Sequence, residues 1–176
     1  ITILPGLVSA FRAAGAAVSE QSLGIELPAR LALDRAGRVV AERVFAQAMT
    51  SWGSLYESLK HAFPAERYRR DMTLERVERT AEKAIAVFAN GECIAGDLLI
   101  GADGYRSAIR AQFLPQTKAS YAGYVAWRCL ADEADLPGAD FATLFERYAV
   151  CVTPGEQGIG YPVPGAGHSK RPGDRQ

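Results

Sequence analysis

Residues 97–110 read DLLIGADGYRSAIR, and the predicted fold is organised around this stretch. Its apolar start, residues 98–100, is too short for a helix and is bounded by glycine, which predicts a buried strand. Gly104 can adopt a positive φ, and Asp103 can accept hydrogen bonds from the first backbone N–H groups of a helix. The pattern therefore predicts a strand, a tight turn and a helix that ends before Pro115.

The turn at Asp103 and Gly104 would place a carboxylate beside free backbone donors. A helix N-terminus favours anions, and an aspartate accepts hydrogen bonds from sugar hydroxyls. Asp-Gly turns are also common as purely structural features. The local residues therefore leave two interpretations open, a contact to a ribose or phosphate group and a simple helix cap.

The composition limits the class of protein. The 176 residues are 48% hydrophobic and include 20 basic and 20 acidic side chains, which indicates one sizeable core and gives no electrostatic case for nucleic acid or an anionic membrane surface. No apolar stretch approaches the length of a bilayer span. The chain starts without methionine inside an apolar segment and ends in a polar tail, so we expect an internal piece of a longer protein.

The cysteines and histidines do not predict a metal site. Cys93, Cys129 and Cys151 are far apart and are expected to be buried, reduced thiols of a cytoplasmic protein. His61 and His168 have no nucleophile motif or second ligand near them in the sequence, so both are expected on the solvated surface. The sequence therefore predicts neither a metal centre nor a Ser-His-Asp triad.

Hydrophobic periodicity predicts two helices and a hairpin in the first part of the chain. Pro5 suits the first turn of a helix that ends near Gly15, and residues 23–33 and 38–41 are typical of a hairpin. A second helix is expected to begin after a cap at Thr50 or Ser51 and to end at Pro64. Its apolar residues recur at helical spacing, and most of them are expected in the core: Trp52, Leu55, Leu59 and Phe63.

The remaining predicted strands are short and fall into two groups. Residues 74–79, 84–89 and 92–95 predict a three-stranded meander with a tight turn before its last strand. The second group is expected to form one sheet, because sequential strands usually lie side by side. Its members are residues 124–129, 141–152 and 159–163.

Several segments resemble the flavin-dependent aromatic hydroxylases of the para-hydroxybenzoate hydroxylase type. GADGYRSAIR resembles their second fingerprint, with the matching positions at Asp103, Gly104, Ser107 and Arg110. The segments MTSWGS, FPAERY, YAGYVAWR and GYPVPG are, in this order, similar to the dihydroxypyridine hydroxylase branch of the family. The resemblance covers nearly the whole chain.

The resemblance implies an α+β fold made of two partial domains. Residues 1–118 would be part of a Rossmann-like FAD-binding domain with an inserted β-meander, and residues 119–176 part of a mostly antiparallel substrate-binding sheet. The family carries a G-x-G-x-x-G motif at its N-terminus, and this chain has none. That omission, and the missing later Gly-Asp segment of the family, fit an internal piece that would be inactive without its parent.

The resemblance also implies a function. The parent would be a monooxygenase that uses FAD, NAD(P)H and O₂ to hydroxylate a small aromatic or heteroaromatic substrate, with a homodimer left open. No general base can be assigned, and no metal is expected. The implied cofactor contacts are Asp103, Gly104, Ser51 and Trp52. The candidates for lining the substrate pocket are Trp127, Tyr148 and Tyr161.

The substrate class follows from a missing arginine. Relatives that hydroxylate benzoates hold the carboxylate with an arginine on a strand of the substrate domain, and residues 149–157, AVCVTPGEQ, contain none. We therefore predict a phenolic or hydroxylated heteroaromatic substrate without a carboxylate. Two alternatives stay open: a non-catalytic binding module derived from such an enzyme, and another nucleotide-dependent enzyme that uses LLIGADG as its glycine turn.

Overall fold

A computed structural model describes residues 1–136 and 144–176. Its helices are Pro5–Ala13 (α1), Glu20–Leu23 (α2), Trp52–Ala62 (α3) and Ala108–Phe113 (α4). Its strands are Thr2–Ile3 (β1), Ile25–Leu33 (β2), Val39–Met49 (β3), Leu74–Arg79 (β4), Ala84–Phe88 (β5), Cys93–Gly96 (β6), Tyr148–Thr153 (β7) and Glu156–Gly160 (β8). The mixed α+β class that the sequence predicts is confirmed.

The chain forms two compact units. Unit 1 consists of Ile1–Arg67 and Arg128–Gln176, and unit 2 consists of Tyr68–Trp127. The observed division differs from the predicted boundary after residue 118. The reason is that β2, from before that boundary, pairs in parallel with β7, from after it.

Unit 1 contains a mostly antiparallel sheet whose described strands lie in the order β1-β3-β2-β7-β8. The hairpins β2-β3 and β7-β8 are antiparallel, and β2-β7 is the parallel pair. Ala48 and Met49 are consecutive in β3, so their side chains point to opposite faces of the sheet. Ala48 packs in a core with Val8, Phe11 and Leu55. Met49 packs on the other face with Ile25 and Leu27 of β2.

Helix α3 contacts the core through a narrower stripe than its periodicity predicts. Leu55 is buried, but Trp52 is 74% exposed and both Leu59 and Phe63 are also exposed. The prediction that most of this stripe lies in the core is therefore wrong, because only Leu55 of the four residues is buried. Leu55 and the partly buried Ala62 are the apolar residues through which the helix joins the core around α1.

Unit 2 contains the predicted meander, an antiparallel sheet of order β4-β5-β6. Val77, Ala86 and Val87 are its buried apolar residues. The Gln112 side chain joins α4 to this sheet, because its Oε1 accepts the Val77 N–H at 2.9 Å and its Nε2 donates to the Val77 carbonyl at 2.6 Å.

Two predicted strands are absent from the described structure. Residues 98–100 and 124–129 have no regular secondary structure, and Leu98 and Trp127 are 78% and 94% exposed. Both predictions are wrong because none of the described strands pairs with these segments, and an isolated strand cannot satisfy its backbone hydrogen bonds. Of the third predicted strand, residues 141–143 lie outside the described residues, and the observed strand begins at Tyr148.

The cysteines are less buried than the sequence predicts. All three are free thiols, and Cys93 and Cys129 are exposed whereas Cys151 is half-buried. The exposure of Cys129 follows from the absence of the strand that was predicted to bury it.

Candidate functional site

The first candidate site is the turn before α4 in unit 2. The Asp103 Oδ2 atom accepts the backbone N–H groups of Ala108 and Ile109 at 2.7 and 3.3 Å. The Ser107 hydroxyl accepts the N–H of Arg110 at 2.9 Å, which makes Ser107 the N-cap of α4. Asp103 and Ser107 therefore satisfy three of the N–H groups that begin a helix without partners.

Arg110 closes the same turn from its other side. Its guanidinium donates to the backbone carbonyls of Gly104 and Tyr105, and Gly104 has a φ of 77°. The motif residues Asp103, Ser107 and Arg110 thus all bond to the backbone of the turn or of α4. We call residues 103–110 the Asp103 ledge.

The Asp103 ledge keeps a charged and accessible carboxylate. A hydrogen bond from the Ser107 side chain, together with the N–H groups of Ala108 and Ile109, lowers the pKa of Asp103 below its ordinary value. The side chain is exposed, and apart from the two neighbours of Gly104 in the chain, no described residue has an atom within 4 Å of the position that a Cβ on Gly104 would occupy. A carboxylate of this kind has lone pairs left for an outside donor such as a sugar hydroxyl.

The second candidate site is the beginning of α3 in unit 1. The Ser51 hydroxyl caps the helix by accepting the N–H of Ser54 at 3.0 Å, and the two serine hydroxyls lie 3.0 Å apart. The Trp52 side chain next to the cap is largely exposed. The predicted cofactor contacts Ser51 and Trp52 are therefore neighbours, one of them used as a cap and the other open to solvent.

His168 is not the simply solvated histidine that the sequence predicts. Its Nε2 lies 2.8 Å from a carboxylate oxygen of Glu57, and its Nδ1 lies 3.3 Å from the Ser54 hydroxyl. The arrangement contains the residue types of a catalytic triad, but Ser54 is only 4% exposed and its hydroxyl contacts the cap at Ser51. These contacts fasten the C-terminal segment to α3 and leave no accessible nucleophile.

The third candidate site lies where β2, β3 and β7 meet. Tyr148 and Tyr161 stack with their ring centroids 5.5 Å apart and their planes 4° from parallel. Both rings pack against the buried residues Ile25, Leu27 and Met49. The structure thus brings two of the three predicted pocket residues together, whereas Trp127 belongs to unit 2 and is exposed.

An arginine and an amide complete this third site. The Arg30 guanidinium lies over the rings of Phe45 and Tyr148, at 4.1 and 5.1 Å from their centroids. Its Nε and Nη2 atoms donate to Gln47 Oε1 at 3.1 and 2.6 Å. We call Arg30, Phe45, Gln47, Tyr148 and Tyr161 the Arg30 cluster.

Sequence reasoning missed Arg30 and Gln47. Each is a polar residue among apolar neighbours, Arg30 in the segment PARLAL of β2 and Gln47 in the segment FAQAM at the end of β3. A buried polar residue is more informative than an exposed apolar one, so these interruptions were the available signal. The sequence does not show that the two residues meet.

Comparison with known proteins shows what the chain as a whole resembles. Over 155 residues, 88% of this chain, it is 28% identical to 2,6-dihydroxypyridine 3-monooxygenase of Paenarthrobacter nicotinovorans. Over 73 residues it is 44% identical to the FAD-dependent urate hydroxylase of Klebsiella pneumoniae. This chain is homologous to FAD-dependent aromatic hydroxylases.

Solved structures of such hydroxylases have the same fold. The 2,6-dihydroxypyridine-3-hydroxylase of Arthrobacter nicotinovorans superposes on 98% of this chain with a TM-score of 0.78 at 24% identity. Klebsiella pneumoniae HpxO, complexed with FAD and uric acid, covers 89% of the chain with a TM-score of 0.63 at 21% identity. The predicted fold class, α+β with a mostly antiparallel sheet, is therefore confirmed.

The homology to these hydroxylases is partial in length. The chain spans 38% of the Paenarthrobacter monooxygenase and 18% of the urate hydroxylase, and no family model matches it.

In residues 1–136 and 144–176 no helix has the length and apolar character needed to cross a membrane. The same residues contain no group of side chains suited to a metal ion.

The FAD of these hydroxylases can be tested against the residues present here. In unit 2 the Asp103 ledge offers an exposed, ionised carboxylate and an open glycine backbone, which would suit the donor hydroxyls of a ribose. In unit 1, taken by itself, the start of α3 offers an exposed aromatic ring, Trp52. These features fit a nucleotide cofactor.

Proposed function

We propose that this chain is part of an FAD-dependent monooxygenase that hydroxylates an oxygenated heteroaromatic ring. The observation that carries the proposal is the Asp103 ledge, an ionised and accessible carboxylate fixed beside an open glycine in a chain homologous to FAD-dependent hydroxylases. A purely structural cap would also bond to α4. The cofactor role is favoured because the chain matches the dihydroxypyridine monooxygenase over 88% of its residues and not only at this turn.

The proposed role of the Asp103 ledge is to hold the nucleotide part of the cofactor. Asp103 would accept a hydrogen bond from a ribose hydroxyl, and the open backbone at Gly104 would permit close approach. Ser107 and Arg110 act as positioning residues, because their bonds fix the cap and the turn. Ser51 and Trp52 are proposed as further contacts, with Trp52 offering its exposed ring to a planar group.

Bound FAD would supply the activation of O₂, which no side chain of a protein can supply by itself. In the balanced reaction NAD(P)H provides two electrons, one oxygen atom enters the ring and the other leaves as water. Tyr148 and Tyr161 would line the substrate pocket, and their stacking on Ile25, Leu27 and Met49 would help to exclude water from it.

The substrate class is proposed from the relatives and from the strand β7. The relatives include a dihydroxypyridine monooxygenase and a urate hydroxylase, both named for oxygenated nitrogen heterocycles. Residues 149–157 contain no arginine for a carboxylate. We therefore propose a hydroxylated heteroaromatic substrate without a carboxylate, and a cytoplasmic location, where three free cysteines stay reduced.

The experiment that tests the proposal follows the oxygen atom. The polypeptide that carries this chain is incubated with FAD, NADH or NADPH, 2,6-dihydroxypyridine and ¹⁸O₂, and the product is analysed by mass spectrometry. We expect one ¹⁸O atom in the ring for each NAD(P)H oxidised. A product labelled from H₂¹⁸O instead, or NAD(P)H oxidation that yields only hydrogen peroxide with every oxygenated ring tried, would overturn the proposal.

A matched pair of variants connects this activity to the Asp103 ledge. Asp103→Ala removes the carboxylate itself, whereas Ser107→Ala removes the N-cap of α4 and the hydrogen bond to Asp103 but keeps the carboxylate. We expect both variants to need a higher FAD concentration for half-maximal activity, with a clearly larger increase in Asp103→Ala than in Ser107→Ala. Equal FAD dependence of both variants would show that Asp103 is only a cap.

A further inference from the structure

The Arg30 cluster has a property that packing does not require. Arg30 and Tyr148 are Cα partners in the parallel pair β2-β7, and Gln47 lies on β3, on the other side of β2. Three strands therefore bring a guanidinium, an amide and two stacked rings to one place, next to the apolar residues Leu27 and Met49. Polar side chains in such a position are rare unless they are bonded or used.

The guanidinium of Arg30 contacts two aromatic rings and one amide. It lies over two aromatic rings and bonds through one edge to Gln47 Oε1. Among the described residues no carboxylate forms an ion pair with Arg30. The cluster therefore carries a positive charge that no described carboxylate neutralises, and the Nη1 N–H groups of Arg30 remain as donors. Both features favour a ligand that has acceptor atoms.

The Gln47 amide has a donor atom, Nε2, without an acceptor among the described residues. Gln47 is only 9% exposed, and its buried Nε2 has no hydrogen-bond partner in the part of the chain that is described. The orientation of the amide is fixed, because a flipped amide would turn its NH₂ group towards the Arg30 guanidinium. An orphan donor thus lies beside a cation, and both need an oxygen that the chain itself does not provide.

The cluster is accessible from one side. Phe45 is exposed, and Arg30, Tyr148 and Tyr161 are half-buried. A planar ring that enters beside Phe45 can stack on the guanidinium or on a tyrosine ring. Gln47 Nε2 is itself buried, so the half-buried Arg30 side chain must shift before an oxygen on that ring can reach the amide.

We propose that the Arg30 cluster binds a planar heteroaromatic ring through a carbonyl or deprotonated hydroxyl oxygen, which accepts hydrogen bonds from Gln47 Nε2 and Arg30. Taking this ring as the substrate rests on the proposed monooxygenase function. The Nε and Nη2 edge of Arg30 is already occupied by Gln47. One of the two forks that could bind a carboxylate in a bidentate manner is therefore lost, which favours a single ring oxygen over a carboxylate.

The proposal is tested by calorimetric titration of this chain with 2,6-dihydroxypyridine, and with pyridine and benzoate as comparison probes. We expect saturable binding of the dihydroxypyridine and none of pyridine, with benzoate weaker. Gln47→Met keeps the size of the side chain and removes both the orphan donor and the Oε1 acceptor of Arg30. We expect it to weaken binding by about tenfold or more, and a thermal unfolding scan of the same variant checks that the loss is not caused by unfolding of the chain.

Two arginine variants form the matched control. Arg30→Lys keeps the charge but loses the planar stacking group, so we expect it to weaken binding as Gln47→Met does. Arg43 is the Cα partner of Arg30 on β3 and is exposed, and Arg43→Lys should bind like the wild type. Binding that is unchanged in Gln47→Met, or lost equally in Arg43→Lys, or absent from the wild type, would overturn the proposal.

A parallel titration with FAD separates this inference from the proposed function. If FAD binds but probe binding does not depend on Gln47 and Arg30, the cluster is not the ring site, and the flavin function stands. If the probe depends on the cluster but FAD does not bind, the ring site stands and the flavin function fails.

Discussion

The Asp103 ledge and the Arg30 cluster are built over different distances along the chain. Asp103 bonds to N–H groups five and six residues ahead. Arg30 bonds to Gln47, 17 residues away, and lies against Tyr148 on a strand from the last part of the chain. The ledge is therefore a local structure, whereas the cluster exists only when the sheet of unit 1 is assembled.

The two regions also differ in what surrounds them. The ledge is exposed and follows a segment without regular structure, in which Leu98 lies open to solvent. The Arg30 cluster lies against buried Leu27 and Met49. We infer that a disturbance of the core should reach the cluster and leave the ledge largely unchanged, whereas loss of a cap should have the opposite effect.

The largest expected effect is the loss of core packing beneath the Arg30 cluster. Leu27→Ala removes a side chain that is 1% exposed, and we expect unit 1 to lose about 2–5 kcal/mol of unfolding free energy. Denaturant titration followed by tyrosine fluorescence measures this loss. Val44→Ala, at a position that is 87% exposed on β3, is the control and should change stability by less than about 0.5 kcal/mol. Equal effects of the two variants would contradict the described core.

A smaller effect is expected from a buried ion pair in unit 1. Arg175 Nη2 and Glu133 Oε1 lie 2.6 Å apart, with side chains that are only 8% and 15% exposed. The hydrogen bond from Arg175 is the main cause that lowers the pKa of Glu133 from its ordinary value of 4.5. The folded state therefore gains stability from the ionised carboxylate above about pH 4.5, and it loses this contribution as the pH falls through the lowered pKa.

The pH dependence of stability can be compared in the wild type and in Glu133→Gln. We expect the wild type to be more stable at pH 7 by about 1–3 kcal/mol, and the difference to shrink as the pH is lowered below about 4.5. A difference that stays constant from pH 7 to pH 3 would show that the pair contributes through packing rather than through charge.

The smallest effect is expected at the ledge itself. Ser107→Ala removes the N-cap of α4 and should cost about 0.5–2 kcal/mol in unit 2. Amide hydrogen exchange should become faster at Arg110, whose N–H the Ser107 hydroxyl accepts. Exchange in β2 and β3 should not change. Faster exchange across both units would mean that the ledge is not a local structure.

The features that the sequence predicted correctly are the local ones, as at the Asp103 ledge. The cap, the turn at Gly104 and the end of α4 before Pro115 were predictable, because short-range chemistry determines them. The meander and the β2-β3 hairpin were predictable for the same reason. The exposed residues 98–100 were not, since an apolar run predicts a strand whether or not a neighbouring strand pairs with it.

The Arg30 cluster was not predictable from alternation. Leu27 and Gln47 are Cα partners, and strict alternation along β2 places residues 27 and 30 on opposite faces. Arg30 nevertheless bonds to Gln47, and the sheet has a register shift between Leu27 and Ala29. Such irregularities re-aim side chains and leave only a weak signal in the sequence.

Titration with FAD, followed by flavin absorbance and fluorescence, tests the central claim most directly. We predict saturable spectral changes with the wild type, affinity that is weaker by about tenfold or more in Asp103→Ala, and a smaller loss of affinity in Ser107→Ala, which keeps the carboxylate. A flavin spectrum that the wild type leaves unaltered, or one affinity shared by all three proteins, would contradict the assignment of the Asp103 ledge to the cofactor.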